Sequence, residues 1–536
     1  MLSYERLVRR STPLTEAACR RLTLIATVLG SSMASVTAIN VALPEIRRDF
    51  GIGFGAQQWI MLSYSLALAS LYLVAGALDD RLGRRRMFIV GTAGFALASS
   101  LGGVAPGAAV LVLARILQGA AGALLTTGSL SLLRSTFGHE SGRAIGIWAT
   151  GTGAVGLGGP PLGGALVEWA SWRWIFFLNV PLAIVAIALA WVAHRGTTHP
   201  EAPSSRLDVL GAGLVAVGIG SLTYGLVQGG EQGFGDVAWA FLLAGACLGV
   251  FIVRERRTRD PLLPFSLFRS RDFALVNVAT FLIYSAVAGS TFFLVLFLQS
   301  VVGYTPFETG LLLLPSTAVI LLLAARFGRL SDRYGPRTFL VVGPMVMAAG
   351  MLLWLRVDDR SLLDGLLPGL VLYGLGLSMI VAPITSAALT TAPGRYSGLA
   401  AGINSTFSRL GSLLAIAILG VVVSLVFAAR TDDPELVPFA LGEESPQFIA
   451  GSTDAFRAAM IVAAALAIAG SLTALGYSRL PQAWKAAEAA EAAGSPLIRL
   501  DPASPDCPAC LVHQEHGELV TARSERSAAQ DPAAPG

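Results

Sequence analysis

Fourteen apolar segments, each close to the roughly 20 residues that a helix needs to cross a bilayer, decide what this chain can fold into. They cover residues 23–43, 58–78, 87–105, 109–130, 143–167, 174–193, 209–229, 237–254, 274–299, 309–327, 338–357, 365–387, 399–428 and 456–477. In lipid, every backbone N–H and C=O must be satisfied within a helix or a closed barrel. The runs are continuous rather than alternating, so helices are expected and a strand barrel is excluded. Charged residues make up 13% of the 536 and hydrophobic ones 54%, against about a quarter charged in soluble domains. A water-soluble enzyme, a disordered chain and a collagen-like chain are thereby ruled out. The formal charge of +4, from 38 Lys+Arg and 34 Asp+Glu, is too balanced for a nucleic-acid binder. Cys19, Cys247, Cys507 and Cys510 are scattered and suit a reducing compartment rather than a disulfide framework. The first segment is too long for a cleaved signal peptide and reads as an uncleaved anchor. The expected fold class is an all-α membrane protein with 14 transmembrane helices.

An even number of crossings returns the chain to the side on which it began. With the N-terminus placed in the cytoplasm, the inner loops and tail hold 29 basic residues and the outer loops 6. Inner loops carry the excess of Lys and Arg in membrane proteins. The chain therefore reads as a multi-pass protein of the cell inner (plasma) membrane with both termini cytoplasmic.

The chain also repeats itself. Gly76-Ala-Leu78-Asp-Asp80-Arg81-Leu-Gly83-Arg84-Arg85 lies between the second and third segments. Gly328-Arg-Leu330-Ser-Asp332-Arg333-Tyr-Gly335-Pro-Arg337 lies between the tenth and eleventh, and 6 of 10 positions match at an offset of 252. Gly138-His-Glu-Ser141-Gly142-Arg-Ala144-Ile-Gly146-Ile147 matches Gly394-Arg-Tyr-Ser397-Gly398-Leu-Ala400-Ala-Gly402-Ile403 equally well at an offset of 256. Two matches at nearly one offset imply duplication, with segments 1–6 corresponding to 9–14. The expected architecture is two six-helix bundles related by a pseudo-twofold along the membrane normal, plus two inserted helices, the plan of one large class of secondary transporter. Its parts would be a cytoplasmic N-terminus (1–22), an N-terminal bundle (23–193), the inserted helices with a central cytoplasmic loop (194–273), a C-terminal bundle (274–477) and a cytoplasmic, disordered tail (478–536).

The loop Gly76-x-Leu78-x-Asp80-Arg81-x-Gly83-Arg84-Arg85-Arg86 resembles the signature loop of the major facilitator superfamily. Its glycines allow a tight turn and close helix approach. Its Asp80 suits a helix N-terminus, where the macrodipole favours negative charge. The resemblance implies a conformational latch made of Gly76, Asp80, Arg81, Gly83 and Arg84, with Asp332 and Arg333 in the repeat. Asp80 would dock near Ser397-Gly398 and Asp332 near Ser141-Gly142, in contacts made on outward opening and broken on inward opening. The plainer reading is topological: the arginines hold a short loop inside.

An arginine within a membrane span is expensive and marks function by default. Arg115 opens Arg115-Ile-Leu-Gln118-Gly119 in the fourth segment, with no acidic partner in that span. Its partner must be a carbonyl, a water, Gln118 or the substrate. The segment resembles the superfamily's fourth-helix motif, in which Arg is linked to proton movement; Thr127 stands where the family often has Pro. The alternative is an arginine snorkelling to the outer interface from about 9 Å below it. In the fifth segment, Gly159-Pro160-Pro-Leu-Gly163-Gly164 resembles the antiporter motif of drug exporters. Small residues there let helix backbones approach and proline kinks the helix; ordinary Gly-rich packing is the alternative. Ser171-Trp172-Arg173-Trp174 and Asn179-Val-Pro181 open the sixth segment, and Asn40-Val-Ala42-Leu-Pro44 ends the first. With these, residues 20 to about 480 resemble the fourteen-helix drug:proton antiporter branch, the EmrB/QacA subfamily.

One position departs from that branch, which usually has Asp five residues before the position of Asn40, where this chain has Ser35. No Asp or Glu lies deep within the fourteen segments. A proton-coupled pump normally needs a carboxylate whose pKa rises on burial and falls on opening. Coupling is left to Arg115 with bound water, to a carboxylate at a span end (Asp80, Asp208 or Glu308), or is absent. Candidates for the proton and substrate path are Arg115, Gln118, Asn40, Ser35 and Arg409. Trp148, Tyr284, Tyr373 and Asn404 are candidates for the substrate cavity, with packing as the alternative for each. A mostly apolar pocket without fixed negative charge suits an amphipathic, neutral or anionic organic molecule. The tail holds Cys507-Pro-Ala-Cys510-Leu-Val-His513-Gln-Glu-His516, a weak Zn²⁺ candidate spaced more tightly than usual fingers.

The resemblance implies secondary active efflux of small amphipathic drugs or antibiotics by alternating access, driven by proton antiport. The alternative is an importer, or a lipid or metabolite carrier, without proton coupling. A membrane-embedded enzyme would need clustered intramembrane His, Asp or Glu, and the five histidines (139, 194, 199, 513, 516) lie in loops or the tail. No cofactor or nucleic-acid partner is expected. The partners are the organic substrate, protons and the lipid bilayer, and the expected state is a monomer.

Overall fold

A computed structural model of the chain describes residues 16–35, 38–138, 141–193, 208–258, 263, 265–357, 362–391, 397–431, 433 and 436–477, with the backbone alone at some helical positions. Among these residues every regular element is helical, as the continuous apolar runs require. The first segment is built from α1 (Glu16–Ser35) and α2 (Ala38–Phe50). There follow α3 (Phe54–Leu82), α4 (Arg84–Gly103), α5 (Ala108–Phe137), α6 (Ser141–Trp169), the short α7 (Trp174–Phe177) and α8 (Asn179–Ala193). Next come α9 (Val209–Gln232) and α10 (Ala238–Glu255), which pack on each other. The second part holds α11 (Arg271–Ser300), α12 (Pro306–Leu312), α13 (Leu314–Tyr334), α14 (Pro336–Leu353), α15 (Leu367–Thr390), α16 (Ser397–Ala428) and α17 (Pro446–Leu475). Among the described residues, 11 spans are long and apolar enough to cross a membrane. The expected crossings at 58–78, 87–105 and 143–167 coincide with α3, α4 and α6, which are helical but not among the 11. The chain is an all-helical membrane protein.

Local chemistry fixes the turns. The Asp208 carboxylate accepts the Gly211 N–H at 2.8 Å, capping α9, and pairs with Arg254 at the end of α10. Helix α12 starts on a capping box in which Thr305 and Glu308 satisfy each other's backbone N–H groups. Gly83 and Gly335 occupy the same place in the two repeated loops. Their φ angles are +89° and +84°, and each caps the helix that follows. Only glycine adopts that backbone without steric cost.

Neighbour relations recur along the chain. In the first part α5 packs along α3 and α4, α8 on α1 and α4, and α6 on α1 and α2. In the second part α15 packs along α13 and α14, α17 on α11 and α14, and α16 on α11. The two sets of helices meet where α3 touches α16, α6 touches α12 and α13, and α2 touches α11; α9 lies against both α3 and α16.

They meet most intimately at the face opposite the described ends of the chain. There Arg47 Nη1 donates to the carbonyls of Pro438 (2.8 Å) and Phe439 (3.3 Å). Gln299 Nε2 donates to Val41 O at 3.0 Å, Gln58 Nε2 to Ile416 O at 3.4 Å, and the Phe307 N–H to Glu168 at 3.2 Å. The rings of Phe54, Phe293 and Phe439 lie 6.2–6.4 Å apart and close the space beneath. We call this the closed face and the opposite one the terminal face.

Candidate functional site

Arg115 lies two turns into α5 from the closed face and is only 7% exposed. Its Nε donates to Ile60 O of α3 at 3.2 Å, and its Nη1 to Gln118 Oε1 at 2.9 Å. Its guanidinium sits 4.3 Å from the centre of the Tyr64 ring. Gln118 Nε2 donates in turn to Ser99 Oγ at 2.6 Å, which also accepts from Asn179 Nδ2 at 3.2 Å. This chain joins α3, α4, α5 and α8. The arginine thus has a carbonyl, an amide and an aromatic face, and it points into the helix group. Snorkelling to the interface is the reading this geometry displaces, because neutral acceptors and a ring already disperse the charge. A cavity of about 20 Å³ lined by Arg115, Gln118, Asn179, Met33, Ile39 and Phe95 adjoins the cluster. That is room for one water and not for an organic molecule. Asn40, on α2, is half-buried, and its Oδ1 is buried without a hydrogen-bond partner.

Arg409, on α16, approaches the same helix α3 from the other set. Its guanidinium lies 5.5 Å from the centre of the Tyr72 ring, and its Nε is buried without a partner. Tyr64 is within electrostatic reach of both Arg409 and Arg115. Tyr64 and Tyr72 are eight residues apart, about two turns, and so share one face of α3.

The other cavity candidates mostly engage neighbouring helices of their own set. Asn404 Nδ2 donates to Thr280 Oγ1 (2.7 Å) and Asn277 Oδ1 (3.4 Å). The Tyr373 hydroxyl and Thr291 Oγ1 are 3.1 Å apart, and the Tyr373 ring lies 5.3 Å from that of Trp354. Tyr284 is half-buried on α11. Trp148 Nε1 donates to Ser31 Oγ (3.1 Å) and Thr27 O (3.2 Å), tying α6 to α1.

The Gly159-Pro160-Pro-Leu-Gly163-Gly164 run is the surface through which α6 touches both sets. Gly159 and Pro160 are buried. A Cβ on Gly163 would lie 2.6 Å from Ala38 Cβ of α2, and one on Gly164 would lie 2.7 Å from Phe307 Cα of α12. Neither gap admits a methyl group. Trp169 extends the contact by packing on Phe307 in a tilted pair, with ring centres 4.8 Å apart.

At the terminal face, Gly83 and Arg84 form the turn between α3 and α4. Asp332 and Arg333 end α13 exposed, with the Arg333 guanidinium 5.5 Å from the Tyr334 ring centre. Gly76 lies within α3; the side chains of Asp80, Arg81, Ser35, Ser141 and Ser397 lie outside the described residues, as do Cys507, Cys510, His513 and His516 entirely. Among the described residues no three His, Cys, Asp or Glu side chains gather as a metal site. Two span-end carboxylates have structural roles: Glu308 caps α12, and Asp208 caps α9. Burial raises the Asp208 pKa, but the Arg254 guanidinium and the Gly211 N–H outweigh it, so the carboxyl titrates below its ordinary range. Tyr64, Tyr72 and Ser99 escape a reading of the sequence; the one signal for the tyrosines is their two-turn spacing.

Residues 25–416 match the Major Facilitator Superfamily. Multidrug resistance protein Stp of Mycobacterium tuberculosis is 36% identical over 421 residues, covering 77% of this chain and 78% of that protein. The tetracenomycin C resistance and export protein of Streptomyces glaucescens is 36% identical over 411 residues (75% and 76%). The puromycin resistance protein pur8 of Streptomyces alboniger is 33% identical over 451 residues (80% and 88%). In fold, the chain matches a bacterial homolog of the human lysosomal transporter Spinster, solved in an inward-facing and unoccupied conformation. The TM-score is 0.60 over 88% of this chain and all of that one, at 17% identity. Matched along most of its length and sharing over a third of its aligned residues with two of these relatives, the chain belongs to the Major Facilitator Superfamily.

Proposed function

We propose that this chain is a secondary active efflux transporter that exports small amphipathic drugs or antibiotics by alternating access, driven by proton antiport. Membership of the superfamily makes it a transporter rather than an enzyme. The observation that carries the efflux reading is the set of relatives named for drug resistance or export, aligned over about three quarters or more of both chains. The position of Gly159–Gly164, wedged between the two helix sets, supports it: an exporter's motif sits where the sets must slide.

The finer reading is a fourteen-helix member of the EmrB/QacA branch, monomeric, with two six-helix bundles and α9–α10 inserted between them. The recurring neighbour relations and the matched left-handed Gly83 and Gly335 favour duplication. Counts of basic residues favour a cytoplasmic terminal face in the plasma membrane. The closed face is then the outer one, and the structure represents the inward-open state. Exposed Asp332 fits a latch broken in that state.

In this scheme substrate enters from the cytoplasm between α3 and α16. Reorientation then breaks the ties of Arg47, Gln58 and Gln299 and remakes the latch loops. Ser35 supplies no carboxylate, so the Arg115–Gln118–Ser99–Asn179 chain beside its water-sized cavity is assigned the proton-linked step. The test is accumulation of tetracenomycin C and fluorescein in an efflux-deficient host. Expression should lower accumulation severalfold, and an uncoupler should abolish the effect. Export that survives collapse of the proton gradient would remove antiport, and accumulation unchanged for every compound would remove efflux.

A further inference from the structure

Resting on the efflux reading, we propose that Arg409 is an anion-binding subsite on the substrate path, and that the compounds carried are amphipathic aromatic acids in their ionised form. Arg409 is the thirteenth residue of the 32-residue α16, about 18 Å from its terminal end at 1.5 Å per residue. That depth is within the hydrocarbon. A guanidinium there needs partners, because water is scarce and the charge is costly to bury alone.

Arg115 is buried and Arg409 half-buried, and the two arginines differ in how this need is met. Arg115 is bonded to Ile60 O and Gln118. Arg409 donates no hydrogen bond and forms no ion pair among the described residues, and its Nε is buried and unpartnered. Its contact is the face of Tyr72, 5.5 Å away. A ring face attracts a cation but leaves every N–H of the fork free.

The surrounding charge selects the partner. Of the described carboxylates, Asp49, Glu168, Glu255 and Asp332 sit near helix ends, while Glu45 pairs with Arg48 and Asp454 with Arg430. Around Tyr64 there are two cations, Arg115 and Arg409. The acceptors of Arg115 are neutral, so they disperse its charge without cancelling it. An organic cation would add a third positive charge in a poorly screened space. A neutral compound would leave the Arg409 fork unpaired. A carboxylate or phenolate pairs with it directly, since the planar fork matches a carboxylate with two parallel hydrogen bonds. The aromatic body of the same molecule has the ring faces of Tyr72 and Tyr64 beside it on α3. Polar head and apolar body are thus served by facing helices from opposite sets, so binding would bridge the parts that move.

The test uses two dyes with one ring system and opposite charge, fluorescein (anionic) and rhodamine 123 (cationic), binding to the full-length protein in lipid nanodiscs, read by fluorescence anisotropy. Fluorescein should bind more tightly than rhodamine 123 by about tenfold or more, the loss expected when a charge-assisted pair cannot form. Arg409→Gln should weaken fluorescein by a similar factor without weakening rhodamine 123. Arg409→Lys, which keeps the charge and loses the fork, should fall between. Fluorescein affinity unchanged in Arg409→Gln, or a wild type preferring rhodamine 123, would overturn the proposal. If Arg409→Gln does not fold, the wild-type preference and the Lys variant decide. Binding in a nanodisc does not depend on direction. Arg409-dependent fluorescein binding by a protein that exports nothing from cells would sink the efflux reading alone. Active efflux with charge-blind binding would sink this one alone.

Discussion

At the scale of residues, Arg115 shows how a membrane-buried charge is accommodated without a counter-ion. Its two bonds run to neutral acceptors, and Tyr64 covers its face. Arg115→Ala would leave Gln118 Oε1 without this donor, at about 1–3 kcal/mol for an unsatisfied buried group, while Ile60 O keeps the helical N–H that it accepts. It should lower the thermal midpoint in detergent and cut transport at least about tenfold, the factor that follows from about 1.4 kcal/mol. Wild-type transport rates in that variant would exclude Arg115 from the mechanism. The sequence makes this residue legible as a cation with no acid in its own span, and Gln118 is within reach by the i,i+3 spacing of a helix. Ile60 and Ser99 are not legible, because they come from helices 55 and 19 residues away from the atoms they meet. Asp208 is the opposite case, a carboxylate offered by sequence as a proton carrier that the fold uses as a cap. Its pKa is depressed in the folded state, so its stabilising contribution is present above the unfolded pKa and lost as pH falls through the folded one. Asp208→Asn keeps the cap and deletes the charge. It should unfold at a lower temperature than wild type at neutral pH, with the gap constant above about pH 5 and closing below about pH 4. A gap that persists in acid would mean that the pairing with Arg254 contributes nothing.

Elements follow from sequence more directly than their partners do. Among the described residues, each of the fourteen apolar runs is helical along most of its length, since an apolar segment in lipid has no other way to satisfy its backbone. The repeated loops also proved informative, because Gly83 and Gly335 share a backbone that only glycine adopts freely. What the runs do not encode is which helix lies beside which, for periodicity marks a face and not its occupant. The Gly159–Gly164 run announces close packing, yet α12 as its neighbour emerges only in three dimensions. Gly164→Ala would place a Cβ 2.7 Å from Phe307 Cα, and Gly310→Ala one 2.7 Å from the Pro160 carbonyl carbon. Backbone atoms have no rotamer with which to yield, so overpacking of about 1–3 kcal/mol falls on the closed face. Either variant should fold, since each helix is unchanged, and should shift the protein toward opening at that face. Cysteine labelling at position 307 should speed up by about tenfold while transport falls. Unchanged labelling with full transport would show that the close approach is not required.

For the whole molecule, the question is how readily the closed face can part, given the polar ties found there among the described residues. Those found are bonds from Arg47, Gln58 and Gln299 to backbone carbonyls and from the Phe307 N–H to Glu168. A net bond contributes about 0.5–1.5 kcal/mol, and one to a charged group about 1.5–3. The sum is about 4–9 kcal/mol, within the range that a ligand's differential affinity can reverse. Carbonyl acceptors also suit a gate, since they are neutral and can be rehydrated on opening, as can the Arg47 guanidinium that they release. Arg47 carries the largest share, with bonds to Pro438 O and Phe439 O from a side chain that is only 7% exposed. Arg47→Ala should therefore weaken closure by about 1.5–3 kcal/mol, moving the ratio of the two states by about 10- to 150-fold. Spin labels at exposed Arg48 and Glu444 would report the closed face, and labels at exposed Arg134 and Arg333 the terminal face. Pulsed dipolar spectroscopy should show the first pair gaining a longer distance and the second a shorter one in the same sample. Rocking of two rigid sets about a central site demands that reciprocity. If the closed face loosened with no matching contraction at the other, Arg47 would be a local staple, and the two faces would not belong to one alternating equilibrium.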